Sequence, residues 1–238
     1  MLAPLRILTD GLLQLLYPGM CWVCGGPVAS PHERFCAGCR HDLTTDPHPT
    51  CPRCAGSVGP FANVQGGCTA CRGVALAFDR VLRLGPYHGG PWEEVIPRLK
   101  RWSGEGLAEV LGELWAEHAE TRLRELGADV VIPVPLHWSR RCWRGYNQSA
   151  VLAEALAKRL GLPYRPGWLR RVRATPQQTR QTPAARKTNV RGAFRAHPQA
   201  GLRGKTVLLV DDVISTDTSL SSQIPPETFT FTAEDLAA

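Results

Sequence analysis

The chain has 238 residues, 43% hydrophobic and 21% charged, with a net charge of +7. That content is enough for a packed core, and with no apolar run of about 18 residues a helical membrane span is not expected. The charge is unevenly placed: 137–205 holds 16 Lys and Arg against the single acid Glu154, a local +15, while the remainder balances to −8. So lopsided a stretch predicts a polyanionic ligand: phosphate, pyrophosphate or nucleic acid.

In chain order, Leu5, Leu8, Leu12, Leu15 and Leu16 fall at helical spacing, predicting a short amphipathic helix within the first 17 residues. The stretch lacks a basic leader and a small-residue cleavage site, so it does not read as a signal peptide, and a cytoplasmic protein is expected. Eight of the nine cysteines then follow as four Cys-x-x-Cys pairs: Cys21/Cys24, Cys36/Cys39, Cys51/Cys54 and Cys68/Cys71. A two-residue spacer aims both thiolates at one centre, as tetrahedral zinc requires, and two structural Zn²⁺ ions are predicted. Sequential pairing, first with second and third with fourth, closes shorter loops than the crossed alternative and is favoured. Metal would supply most of the folding energy of so small a segment. Cys142 stands alone and is predicted to be packed or idle. Zinc ribbons bind nucleic acid, bind proteins or brace a neighbour, so this module by itself names no function.

Beyond it, 78–87 (FDRVLRLGPY) alternates as a strand would. Residues 91–102 and 107–126 carry helical spacing, and Gly127 is placed as a left-handed cap. Residues 129–134 and 206–210 are short apolar runs suited to buried parallel strands, and 148–160 is an amphipathic helix closed by Gly161. Strands alternating with helices predict a doubly wound α/β layer. Ligands of such sheets lie past the C-terminal strand ends. After Val134 come Arg140, Arg141 and Arg144, forked donors for phosphate oxygens, with Asn147 placed to cap the next helix. After Val210 come Asp211 and Asp212, then Ser215, Thr216, Asp217, Thr218 and Ser219. Carboxylates there can bond ribose hydroxyls, and hydroxyl residues at a helix start can hold a 5′-phosphate. A capped loop with no ligand is the alternative.

The stretches IPVPLHWSRRCWRGYNQ, RATPQQTR with ARKTNVRGAF, and GKTVLLVDDVIST, behind a paired-cysteine module, resemble the ComF family of amidophosphoribosyltransferase-like proteins, linked to DNA uptake in natural competence. The resemblance implies a double zinc ribbon over 1–75 and a type I phosphoribosyltransferase domain over 76–238, with a hood at about 163–200 that includes Arg171, Arg173, Gln178, Arg186 and Asn189. It implies Asp211 and Asp212 as catalytic acids, 215–219 as the phosphoribosyl loop, Arg140, Arg141 and Arg144 on pyrophosphate, and Mg²⁺ with a pyrophosphorylated substrate.

Two departures qualify this. Asp217 stands where the family motif has glycine, placing a carboxylate beside the phosphate at a cost of about 1 kcal/mol per charge pair in water and several at lower effective dielectric. The tail, 221–238, replaces the family's alanine-rich helix and further strand with Pro225-Pro226 and a short alternating stretch, and reads as truncated. Phosphoribosyl transfer with an impaired phosphate loop is one expectation. A non-catalytic competence accessory that binds single-stranded DNA, a helicase or a recombination protein is the other, and a poorly folding remnant the third. Trp138, Trp143, Tyr146 and Trp168 can stack bases, although core packing is the simpler expectation for most of them.

Overall fold

The computed structural model describes Gly11, Leu16, 18–74, Leu76, 78–175 and 192–213. Leu5, Leu8, Leu12 and Leu15 of the expected N-terminal helix, the loop 215–219, Gln178, Arg186 and Asn189 of the hood, and the tail lie outside the described residues, whereas Gly11 and Leu16 are helical.

The helices are α1 (Ala37–Thr44), α2 (Trp92–Leu99), α3 (Glu105–Arg124), α4 (Trp138–Arg144) and α5 (Gln148–Leu160), with a 3₁₀ turn at Trp102–Gly104 leading into α3. The strands are β1 (Val130–Pro133), β2 (Leu169–Arg171), β3 (Phe194–Ala196) and β4 (Val207–Val210). β1 and β4 pair in parallel, Val130 opposite Val207 through Pro133 opposite Val210. On its other side β1 meets the segment at Tyr164: Val131 N–H donates to Pro163 O at 2.9 Å, and Arg165 N–H donates to Val131 O at 3.0 Å. Both edges of β1 are thus paired and all four of its residues are buried, which is why it reads as an unbroken apolar run. β2 and β3 pair antiparallel at the two ends of the hood segment. The architecture is α/β, with a small parallel sheet behind a cysteine-rich N-terminal unit.

Helix α3 crosses α5 closely. A Cβ on Gly112 would lie 2.8 Å from the Ala155 Cβ and 3.3 Å from the Leu152 Cα, so only glycine allows this approach. Leu99, Leu111, Leu123 and Leu156 are almost fully buried in one core. Each contributes roughly 1.5–3 kcal/mol by leaving water. The same cluster takes in Cys21, Val28, Phe35 and Leu43 from the N-terminal unit. Arg40 pairs with Glu117 of α3 at 2.9 Å, and the Trp22 ring lies 3.7 Å from where a Cβ on Gly106 would stand.

The alternating segment 78–87 is not a strand here. Arg83 Nε donates to Asp46 Oδ2 at 2.8 Å, and Arg83 Nη2 donates to Ser57 Oγ at 2.7 Å. Those bonds hold the segment to the N-terminal unit, where no ladder partner meets it. Among the described residues β4 pairs only with β1, and its other edge borders a cavity of about 660 Å³ walled by 78–85, Trp92, Leu111, Trp115 and Leu126.

Candidate functional site

The eight paired cysteines form two tetrads in sequential order, Cys21–Cys24–Cys36–Cys39 and Cys51–Cys54–Cys68–Cys71, with all sulfurs of each within 4.8 Å of one another. Both fit one tetrahedral zinc ion apiece, in line with the sequential pairing. Cys51 shows how the chain prepares a thiolate. Burial opposes its charge, but backbone N–H groups from Cys54, Arg53 and Cys68 outweigh that and hold its thiol at about 6. The second tetrad is buried throughout and forms its own small cluster. Its closing loop is tied by Arg53, whose guanidinium donates to Cys71 O at 2.7 Å and Val74 O at 2.9 Å. The first tetrad is more open, with Cys24 exposed.

The second site lies past the ends of β1 and β4. Asp211 directly follows β4 and is partly buried. It accepts from Ser149 Oγ at 2.9 Å and from the Asp212 N–H at 2.8 Å. Burial, and then the neighbouring Asp212 charge, push its carboxyl up to about 8, so it is largely protonated at neutral pH. Asp212 Oδ2 accepts from Gln148 Nε2 at 3.2 Å and pairs with Lys100 Nζ at 3.3 Å. The first two residues of α5 therefore hold one acid each. Neither Gln148, Ser149 nor Lys100 stands out in the sequence as a site residue. The only signal was two polar residues opening an otherwise apolar helical stripe.

Arginines meet these acids from two elements. α4 starts at His137, whose Nδ1 accepts from the Ser139 N–H, and ends at Gly145, left-handed at φ 82°. On this seven-residue helix Arg140 and Arg144 share the inward face, one turn apart. Arg144 Nη1 donates to Gln148 Oε1 at 3.1 Å. Burial lowers the Arg144 pKa, opposed by the attraction of Asp212. Arg171 of β2 is held at about 10 by burial and by repulsion from Arg140, opposed by attraction to Asp211. The backbone oxygen of Thr175 accepts from Arg140, and its hydroxyl accepts from Arg171, so this buried threonine ties the two arginines together. Among the described residues, Arg144 Nε and Arg171 Nε are buried N–H donors without a hydrogen-bond partner.

Arg141 is not part of this group. It lies exposed on the other side of α4, where its charge acts on Tyr164. Trp138 and Trp143 are also outward, at 70% and 82% exposure, as is Cys142, so that of the two expectations for this thiol, packed or idle, packing does not hold. Tyr146 is buried and donates its hydroxyl to Leu99 O, and Trp168 packs half-buried against the β2–β3 cluster, so the four aromatics divide into two core residues and two surface residues. Asn147 occupies the N-cap position of α5, but its side chain makes no capping bond. It donates instead to Val134 O at 3.0 Å, fastening the α4–α5 turn to the end of β1. The acid pair does not fit Mg²⁺: one carboxyl is partly buried and largely protonated, and the other already faces an ammonium group.

A double zinc ribbon domain family matches residues 12–73. No solved structure matches the chain significantly. Among characterised proteins, the DNA utilization protein YhgH of Salmonella typhimurium is 31% identical over 211 residues, covering 87% of this chain and 89% of that protein. YhgH of Escherichia coli (strain K12) is 30% identical with the same coverage. Competence protein F of Haemophilus influenzae is 28% identical over 206 residues, covering 84% and 87%. With the paired cysteines and the acid-tipped strand in place and the likeness running through most of the chain, this protein belongs to the ComF family.

Proposed function

We propose that this chain serves DNA utilization or uptake, and that its acid-pair cleft binds phosphoribosyl pyrophosphate or a ribose phosphate on a type I phosphoribosyltransferase-like domain over 76–238, behind a double zinc ribbon over 1–75. The observation that carries the reading is a pair of buried guanidinium donors, Arg144 Nε and Arg171 Nε, unpartnered among the described residues, whose charges interact with Asp212 and Asp211 respectively. A buried donor left unpaired costs about 1–3 kcal/mol, which an anionic ligand in the cleft would recover. Asp212 accepts from ribose hydroxyls, the protonated Asp211 donates to one, and Arg140, Arg144 and Arg171 take phosphate oxygens. Such a site positions a sugar phosphate and stabilises a departing pyrophosphate without a covalent nucleophile. Catalytic transfer is weakened by Asp217 in the phosphate loop. The names of the relatives, a DNA utilization protein and a competence protein, support the DNA role.

A second reading has its own observation. Trp138 and Trp143 stand exposed with Arg141 on the outer side of α4, within the stretch of +15 charge. Exposed indoles beside arginine suit stacking on single-stranded DNA without catalysis. A helicase or recombination partner is compatible with the same surface.

Calorimetric titration of zinc-replete protein with phosphoribosyl pyrophosphate tests the first reading, and single-stranded DNA at two salt concentrations tests the second. Saturable sugar-phosphate binding that Arg144→Ala abolishes supports the first. No heat with phosphoribosyl pyrophosphate, alongside steeply salt-dependent DNA binding, leaves the second.

A further inference from the structure

The acid pair is already balanced by a cation of the chain's own. Lys100 follows α2 as its C-cap, and its Nζ stands 3.3 Å from Asp212 Oδ2, the oxygen that also accepts from Gln148 at 3.2 Å. The Asp212 side chain is 9% exposed and that of Lys100 37%, so the acid is nearly covered and the ammonium group is partly open to solvent. The second acid, Asp211, is partly buried and already accepts from Ser149 Oγ and the Asp212 N–H, and at neutral pH it brings little negative charge. Among the described residues, the other charges that act on the pair are positive: Arg144 on α4 and Arg171 on β2, with Arg140 beside them. A divalent ion would have to dehydrate, displace an ammonium group and sit among guanidinium groups, with one charged carboxylate as its reward.

We infer that Lys100 is the resident cation of the acid pair and that the site takes a phosphorylated or pyrophosphorylated ribose without a divalent metal. The inference rests on the ribose-phosphate reading of the same cleft. An ammonium group has three donors. The group pairs with Asp212 and, being partly open to solvent, can also donate to ligand oxygens that approach it. Lys100 is thus a binding residue contributed by the segment ahead of α3, remote in sequence from the acids it serves.

The test uses the full zinc-replete chain in magnesium-free buffer, since a strong chelator would strip the zinc. Phosphoribosyl pyrophosphate is titrated into the wild type, Lys100→Met and Lys100→Arg, without and with millimolar Mg²⁺. The wild type is expected to bind equally in both conditions, within about threefold, whereas Lys100→Met loses about tenfold or more without Mg²⁺ and regains most of it when Mg²⁺ is added. Lys100→Arg stays near the wild type. Wild-type binding that requires Mg²⁺, or Lys100→Met binding that is unchanged, overturns the inference. Thermal melts without ligand give a second readout: Mg²⁺ raises the melting temperature of Lys100→Met and not that of the wild type, and an equal response of both overturns it. Should phosphoribosyl pyrophosphate bind neither protein in either buffer, the ribose-phosphate reading falls and the melts alone decide the role of Lys100.

Discussion

Ser149 Oγ donates to Asp211 Oδ1 at 2.9 Å, joining the second residue of α5 to the first residue past β4. The bond fixes a partly buried carboxyl where two elements far apart in sequence converge; taken alone it favours the charged form, and burial together with the Asp212 charge overrides it and keeps the proton on.

The first prediction concerns pH. The folded chain holds the Asp211 proton up to about pH 8, whereas an unfolded aspartate releases it near 4. Stability from this group is complete below about pH 4, declines as pH rises, and is gone above about pH 8, because the native state binds more protons across that window. Asp211→Asn keeps an uncharged side chain at the position and is expected to exceed the wild type by at least ~1 kcal/mol near pH 8, with the gap closing towards pH 5. Denaturant melts of both proteins at each pH provide the comparison, in which effects of pH on zinc cancel.

Zinc loss should come in two phases. Cys24 is exposed whereas all four cysteines of the second tetrad are buried, so a chelator is expected to strip the first tetrad faster. Metal analysis should find two zinc ions per chain, and Cys24→Ser should hold one and lack the fast phase. A single phase with unchanged stoichiometry in that variant would contradict the tetrad assignment.

The two faces of α4 should separate by mutation. Arg144→Ala is expected to weaken phosphoribosyl pyrophosphate binding by about tenfold or more, since it removes a buried charge-assisted contact. Trp143→Ala is expected to spare that binding while costing single-stranded DNA about 1–3 kcal/mol. Calorimetry on both ligands reads both effects.

Helix packing makes a prediction independent of ligands. Gly112→Val is expected to destabilise the fold by roughly 1–3 kcal/mol, because α3 and α5 cannot separate without opening the core between them. Urea melts would show a lowered midpoint with an unchanged slope.

Asp217→Gly should strengthen ribose-phosphate binding by removing a carboxylate from the phosphate loop. An unchanged dissociation constant would count against the assignment of 215–219 to that loop.

The sequence was most legible where one constraint acted alone. Ligand spacing fixed the tetrads. Helical periodicity closed by a glycine placed α5 at 148–160 with both ends right. Short apolar runs located β1 and β4, although only β1 lies fully buried and β4 beside it is partly covered. Legibility failed where a tertiary partner overrode a local pattern. Residues 78–87 alternate like a strand, yet Arg83 commits that segment to Asp46 and Ser57. Asn147 has the chemistry of a cap, but the Val134 carbonyl is the acceptor its amide meets. The three arginines after Val134 look equivalent in sequence, and only the short helix they form turns two inward and one out. Lys100 has no pattern at all: its meaning comes from a partner 112 positions further along the chain.

The core that runs from α3 and α5 into the first tetrad also ties the protein's survival to its metal supply. Cys21, Val28, Phe35 and Leu43 share that core, whereas the second tetrad clusters apart. A cell short of zinc would therefore lose more than a surface knuckle. Once the first ion departs, the apolar face of α3 is laid open, and the whole molecule passes to proteases, so its abundance would follow the zinc content of the cell.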